Sequence, residues 1–392
     1  MRKAAREANK KNKKTLKEKL KLKLQNIDKK KVLTLVGVIV VVLVIIAINN
    51  YTALGLVLNK NINSGDAIHI ELQTTNNKII PFNNEVIVYN QGKMLFYDNY
   101  GRQTGTLTLE DTLDADIQTS GKYIQIVNKD KKIVYVYKNK YEVGRIKIEG
   151  DIYSANINKQ GISVIEYSSN GNKTELGIYE SSGEKIYNIK LSNKIIGKYV
   201  LSDDSRYLAY IDVNISGISA QTNINVIDLN NIKEDEINAK TIHTNNNFLA
   251  YDIYFSGKTV IARFEQEYMI YDMSYNKKQL GQIVDGQLVS IGEYNKKYAY
   301  TRLDENGDYV LGFGKMLSDK VKEILIKDTP KYFNYENGIA YVCYAKKIEA
   351  YNNYGMKIKN YDSDMIVTEP IVFNNGRSVV MAISNKLIMF TI

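Results

Sequence analysis

Beyond residue 65, apolar positions come in short runs, each closed by Asn, Asp, Gly, Ser or Lys, and the runs recur in two registers. In the first, a small or polar turn precedes a strand-like run. The examples are "NNEVIVY" from Asn83, "SGKYIQIV" from Ser120, "QGISVIEY" from Gln160 and "DSRYLAYI" from Asp204, then "SGKTVIARF" from Ser256, "NKKYAYTRL" from Asn295, "NGIAYVCY" from Asn337 and "NGRSVVMAI" from Asn375. In the second, an aromatic residue closes the following run, at Tyr97, Tyr137, Tyr179, Tyr271, Phe313, Tyr351 and Phe390, with Ile227 in the remaining slot. The first register steps by 37 to 52 residues and the second by 38 to 48. Two independent registers with one period near 40 mark a repeat of about four short strands per unit, the signature of propeller blades.

The runs also have the texture of blades. The second and third of each unit are nearly continuous apolar stretches, such as "KIVYVY" at 132–137, as expected of strands buried on both faces. The fourth alternates. Ile146 and Ile148 lie between Arg145, Lys147 and Glu149, and Leu107 and Leu109 flank Thr108, the pattern of an outer strand half in water. Asn-Gly pairs at 170, 306, 337 and 375 predict hairpin turns. The three prolines, Pro81, Pro330 and Pro370, fall at predicted innermost strands, an edge where a missing N–H is tolerated.

The expected fold is therefore all-β, an eight-bladed propeller over residues 66–392. A count of seven follows if the irregular stretch from 212 to 257 is misread. The last unit begins near Glu369 and ends after its third strand, while "AIHIEL", Ala67 to Leu72, precedes the first unit as an orphan strand. Pairing the orphan with the last unit would close the ring and remove two open edges.

Ahead of the repeat the pattern changes. Seventeen residues, Val32 to Ile48, carry no charge, and fourteen of them are Val, Leu or Ile. At 1.5 Å per residue they reach roughly 26 Å as a helix, close to a hydrocarbon core of about 30 Å. A single membrane-spanning signal-anchor is predicted over 32–48. Lys29, Lys30 and Lys31 meet one interface and Tyr51 the other. A cleaved signal peptide with its site at Ala53-Leu54-Gly55 is the alternative, disfavoured by the long segment that precedes the apolar core.

The charge distribution fixes the expected orientation. The formal net charge is +10, yet residues 1–31 hold fourteen basic and three acidic side chains, which leaves the remainder close to neutral. The chain beyond residue 31 thus has no footprint for a phosphate backbone, and nucleic acid is not an expected partner. The basic tail predicts a cytoplasmic N-terminus, a linker over 49–65 and an extracytoplasmic propeller. Within the tail, Leu16, Leu20, Leu24 and Ile27 share one helical face among lysines, the pattern of a helix lying on an anionic inner leaflet. A solvated tail that only sets topology is the competing reading. One cysteine, Cys343, excludes an intrachain disulfide.

"LSDDSRYLAYID", Leu201 to Asp212, resembles the "SPDGKYLAY" signature of WD40-like repeats in TolB-type propellers. Ser202, Asp204, Tyr207, Leu208, Ala209 and Tyr210 match, while Asp203 replaces the proline and Ser205 the glycine. "YDNYGRQTGTLTL" (97–109) and "YNNYGMKIKNY" (351–361) are similar to quinoprotein-like blades. The chain as a whole resembles membrane-anchored propeller proteins of uncharacterised role from Gram-positive bacteria. The resemblance implies the fold and leaves the function open.

Candidate chemistry is sparse. His69 and His243 have no Cys or His at ligand spacing. "SGKT" at 256–259 ends like a phosphate loop but lacks the first glycine, where Asp252 stands. "LDENGDY", Leu303 to Tyr309, has the acid spacing of a poor calcium loop and reads more simply as a hairpin. No catalytic, metal or cofactor residue is assigned. The sequence has no Trp for stacking sugars or quinones. The expected role is a non-catalytic binding or scaffolding module engaging an envelope protein or wall polymer. A glycan hydrolase or lyase is the alternative, and a transmembrane sensor a further one.

Overall fold

Of the 392 residues, the computed structural model describes 66–391, apart from interior positions 75–76, 110–114, 170–172, 191–194, 215–220, 232–238, 283–287, 295–296, 319, 374–375 and 384. The basic tail, the predicted span Val32–Ile48 and the linker lie outside the described residues. Among the described residues no helix is long and apolar enough to cross a membrane.

Among the described residues, thirty-two strands form eight four-stranded antiparallel sheets. Blade 2 shows the plan, a meander of Asp116–Ser120, Tyr123–Asn128, Ile133–Lys138 and Tyr141–Lys147, paired in that order. Blades 1 and 3 to 7 repeat it over 78–108, 152–190, 195–245, 250–282, 288–325 and 332–362. The irregular stretch 212–257 resolves into the last two strands of blade 4 and the first of blade 5, which gives the count of eight.

The eighth blade draws on both ends of the domain. Ile371–Val372, Ser378–Ile383 and Lys386–Thr391 supply three strands, and Ile68–Glu71 adds the fourth with the register Ile68↔Met389 to Glu71↔Lys386. The orphan strand therefore closes the ring, as its apolar pattern predicts.

Both repeat registers acquire a structural cause. The small residues of the first register lie in the turns between first and second strands. Gly121, Gly161, Ser205, Gly257, Gly338 and Gly376 all have positive φ there, a conformation that costs a residue with a Cβ about 1–2 kcal/mol. The aromatics of the second register close the third strands. In blades 1, 2, 3 and 7 the pairing with the fourth strand shifts at Tyr97, Tyr137, Tyr179 and Tyr351. The bulge bends the outer strand as it leaves the turn from the third strand.

The core lies between the blades. Eight apolar clusters each join two neighbours, including one that joins blade 8 to blade 1 through Val380, Leu387 and Met389 against Val86, Val88 and Tyr97. Middle strands are the most buried, completely so in Tyr123–Asn128 and Glu267–Asp272. Each fully buried aliphatic or aromatic side chain contributes about 1.5–3 kcal/mol. Phe390 of blade 8 stacks on Tyr361 of blade 7, with ring centroids 4.2 Å apart and planes at 6°. Pro81 lies on an innermost strand, whereas Pro330 and Pro370 stand two and one residues before theirs, where no ladder N–H is needed.

Candidate functional site

Every first strand begins where the connection from the preceding blade arrives, at the same end as the turn between second and third strands. Those ends together form one face of the ring, here the upper face. The lower face carries the turns from first to second and from third to fourth strands. First strands of adjacent blades touch, as at blades 4 and 5 or 8 and 1, and so surround the central channel.

Among the described residues, sixteen large hydrophobic side chains are exposed, and seven belong to the upper mouth of this channel. Tyr153, Ile195, Tyr251 and Tyr332 stand at the starts of first strands, while Leu249, Met365 and Ile366 lie on the connections leading into them. Exposure runs from 36% at Tyr332 to 63% at Ile366. Irregular pairing explains the split. The register between first and second strands skips Tyr153 between Ile152 and Ser154, and Tyr251 between Ala250 and Asp252, so both tyrosines stand outside the ladder while Ile152 and Ala250 are buried.

Polar groups hold this rim in place. The Arg263 guanidinium lies 5.3 Å over the Tyr251 ring, Lys198 pairs with Asp252 at 2.9 Å, and Lys129 Nζ donates to the Tyr153 carbonyl at 2.8 Å. Below them the Ser154 hydroxyl lies 2.8 Å from Glu166 Oε2 and 2.8 Å from the Tyr199 hydroxyl, tying blade 3 to blade 4. Burial pushes the Glu166 carboxyl above its ordinary range, against the Ser154 hydrogen bond and the charge of Lys129.

The lower mouth differs. Its charges pair with each other, Lys159 with Asp203 at 2.7 Å and Arg206 with Asp228 at 2.9 Å. The turn of "LSDDSRYLAYID" folds on itself. Ser202 Oγ donates to Asp204 at 2.5 Å and accepts from the Tyr207 N–H at 2.9 Å. From blade 3, the Asn158 amide donates to the Ser202 carbonyl at 3.0 Å and to Ser205 Oγ at 2.7 Å. Burial raises the Glu336 carboxyl, opposed by Lys159. Among the described residues, exposed tyrosines recur on this face only at the outer turns, at Tyr100, Tyr141, Tyr275 and Tyr354.

Two buried carboxylates at one repeat position escaped the sequence reading. Glu175 and Glu267 each stand four residues before the register tyrosine, in "ELGIY" and "EYMIY". Glu175 accepts from the Tyr167 hydroxyl at 3.1 Å and the Asn188 amide at 2.6 Å. Glu267 lies 3.2 Å from His243 Nε2 and accepts from the Asn245 amide, both on the preceding blade. The recurring E-x-x-x-Y was the available signal.

The membrane-contact candidates Leu16, Leu20, Leu24, Ile27, Lys29, Lys30, Lys31 and Tyr51 lie outside the described residues. Of the residues weighed for chemistry, His69 is exposed on the closing strand and His243 faces Glu267. Cys343 is buried, and burial pushes its thiol well above the usual range. "SGKT" forms a tight turn at Gly257-Lys258 between two strands of blade 5. In "LDENGDY", Asp304 accepts from the Asp308 and Asn306 N–H groups at 2.8 and 2.9 Å, which holds its carboxyl below the usual range. It caps a hairpin. Among the described residues no group of three His, Cys, Asp or Glu is placed to hold a metal.

Solved structures similar to this chain are propellers. Saccharomyces cerevisiae Sqt1 superimposes with a TM-score of 0.53 at 9% identity, covering 85% of this chain and 99% of its own. The WD40 domain of SCAP from fission yeast gives 0.55 at 10%, covering 85% and 96%. The Dos1 propeller gives 0.53 at 11%, covering 82% and 93%. At such identities the likeness shows the fold alone. No curated protein matches the sequence. The model of a family of unknown function, DUF5711, matches residues 60–390.

Proposed function

Because the chain belongs to the DUF5711 family, whose function is unknown, we propose a role from its own surfaces: a non-catalytic binding or scaffolding propeller that receives its partner on the upper mouth of the channel. The observation that carries this is the gathering of Tyr153, Ile195, Tyr251, Tyr332, Leu249, Met365 and Ile366 at that mouth. Contiguous exposed apolar surface rimmed by polar groups marks interaction sites, and tyrosine supplies contact area at low entropic cost. The uncharged run Val32–Ile48 and the basic tail support a place on the outer side of a cytoplasmic membrane. There the partner would be an envelope protein or wall polymer.

A photo-crosslinking residue placed at Tyr153, Tyr251 or Tyr332 in cells, against controls at Tyr100 and Tyr275 on the lower face, tests the reading. One recurring adduct from the upper positions, absent from the lower ones, is the expected result. Equal labelling from both faces, or none from the upper, sinks it.

A further inference from the structure

We propose that the seam between blades 2 and 3 holds a second binding site, for a small polyhydroxylated anion such as an acidic sugar or a polyol phosphate. A cavity of about 460 Å³ opens there between Lys147 at the end of the outer strand of blade 2, with the connection 148–150 that follows it, and the second, third and fourth strands of blade 3. Ligand sites typically measure about 300–1,000 Å³. The pocket shares no lining residue with the apolar upper rim.

The floor is fixed by backbone. Asp151 N–H donates to Ser168 Oγ at 2.9 Å, and Ser168 N–H returns a bond to the Asp151 carbonyl at 2.9 Å. Gly150 is required at this crossing, because a Cβ there would lie 1.5 Å from the Ser168 carbonyl oxygen. The connection between the blades therefore cannot drift to fill the cavity.

The lining chemistry selects the ligand. Three ammonium groups, Lys147, Lys185 and Lys190, face two carboxylates, Glu149 and Glu175. Glu175 is buried and already accepts from Tyr167 and Asn188, so its charge is committed to the wall. Lys185 Nζ lies 5.8 and 5.5 Å from the Tyr167 and Tyr179 ring centroids and 3.4 Å from the Tyr167 hydroxyl, which sets its direction. Among the described residues Lys147 and Lys190 make no ion pair. The site thus offers a cationic surplus for a carboxylate or phosphate, with Glu149 beside it to accept from hydroxyl groups. Burial, Tyr179 and Glu175 all push the Tyr167 hydroxyl far above its ordinary range, so it stays a neutral donor at any working pH.

Ligand-observed NMR on the purified full chain in detergent, with D-glucuronate, glycerol 3-phosphate and glucose as probes, tests the proposal. Binding of at least one anion with glucose markedly weaker is expected, and comparing the two anions tells carboxylate from phosphate. K147A/K190A should weaken the anion at least tenfold, and K185M should do so with the stem retained. K258A on the lower face should leave it unchanged, and equal melting temperatures establish that the variants are folded. Glucose binding as well as either anion, no binding of both anions, or unchanged affinity in K147A/K190A overturns the site. Crosslinking at the upper mouth is independent of each of these results.

Discussion

Closure by Ile68–Glu71 can be locked covalently. Glu71 and Lys386 are direct partners at the end of the closing ladder, and both side chains are exposed. Opposed residues in an antiparallel pair have Cα atoms about 4.5–5.5 Å apart, inside the range of about 4.4–6.8 Å that a disulfide spans. The ion pair lost in E71C/K386C is 3.8 Å long and exposed, so its removal costs little. The new bond would close a loop of roughly 315 residues. Chain-entropy arguments give up to about 5–6 kcal/mol for such a loop, less any strain in the native pair. With an unfolding entropy of about 2.1 cal/mol/K per residue over roughly 325 residues, the melting temperature should rise by ~4–8 °C. The only natural thiol, Cys343, is buried and should not compete. The assay is thermal unfolding of the oxidised variant before and after dithiothreitol. Failure of the bond to form in the folded protein, or melting that reduction leaves unchanged, would refute the closure.

Phe390→Ala removes a buried ring stacked between two blades and should cost about 3–5 kcal/mol in urea unfolding; a loss under 1 kcal/mol would mean the seam between blades 7 and 8 is not tightly packed. Glu323 receives two hydrogen bonds from Arg302, at 2.8 and 2.7 Å, and one from Tyr300 at 2.5 Å, and the Arg302 bonds lead in holding its carboxyl below the usual range. Its folded pKa is depressed, so its contribution is present above the unfolded value of about 4.3 and lost as pH falls through the folded value. E323Q should therefore flatten the acid side of the stability profile below about pH 4, and an unaltered slope would contradict the assignment. A peptide of residues 1–31 should bind anionic vesicles and become helical there, and serine at Leu16, Leu20, Leu24 and Ile27 should weaken it at least tenfold; unchanged affinity would leave only a solvated topogenic tail. Protease added to wall-free cells should degrade the chain beyond about residue 60 and spare the tail, and protection of the propeller would reverse the proposed orientation.

The blade repeat was legible because its marks are local. Positive φ at Gly121 or Gly338 and the bulge at Tyr137 are set by a few neighbouring residues, and they recur once per blade. The surfaces were harder to read for the opposite reason. Tyr153 and Ile157 look alike in the sequence, one apolar position among others in the same strand, yet one is exposed and the other buried. The pairing with the second strand skips Tyr153 and keeps Ile157, and which position is skipped depends on the neighbouring strand. Likewise Lys147 and Lys190 end the fourth strands of successive blades, and nothing local indicates that they line one cavity. The partners of Glu267 come from another blade, so its E-x-x-x-Y motif shows where the carboxylate sits and not what holds it.

The closing strand has a mechanical meaning as well. Ile68 lies at the lower end of blade 8 and Glu71 at the upper end, so a pull on the chain at Ile68 from the lower side acts along the strand. Tension between such a pull and a load on the upper mouth would run along the strand rather than across it. Ladder hydrogen bonds lie perpendicular to the strands, so all four residue pairs would resist sliding together instead of parting one at a time. Ile68 and Ile70 would also have to be dragged past Leu387 and Met389. The latch that completes the ring is thus loaded in shear, its strongest direction, whenever the two ends are pulled apart.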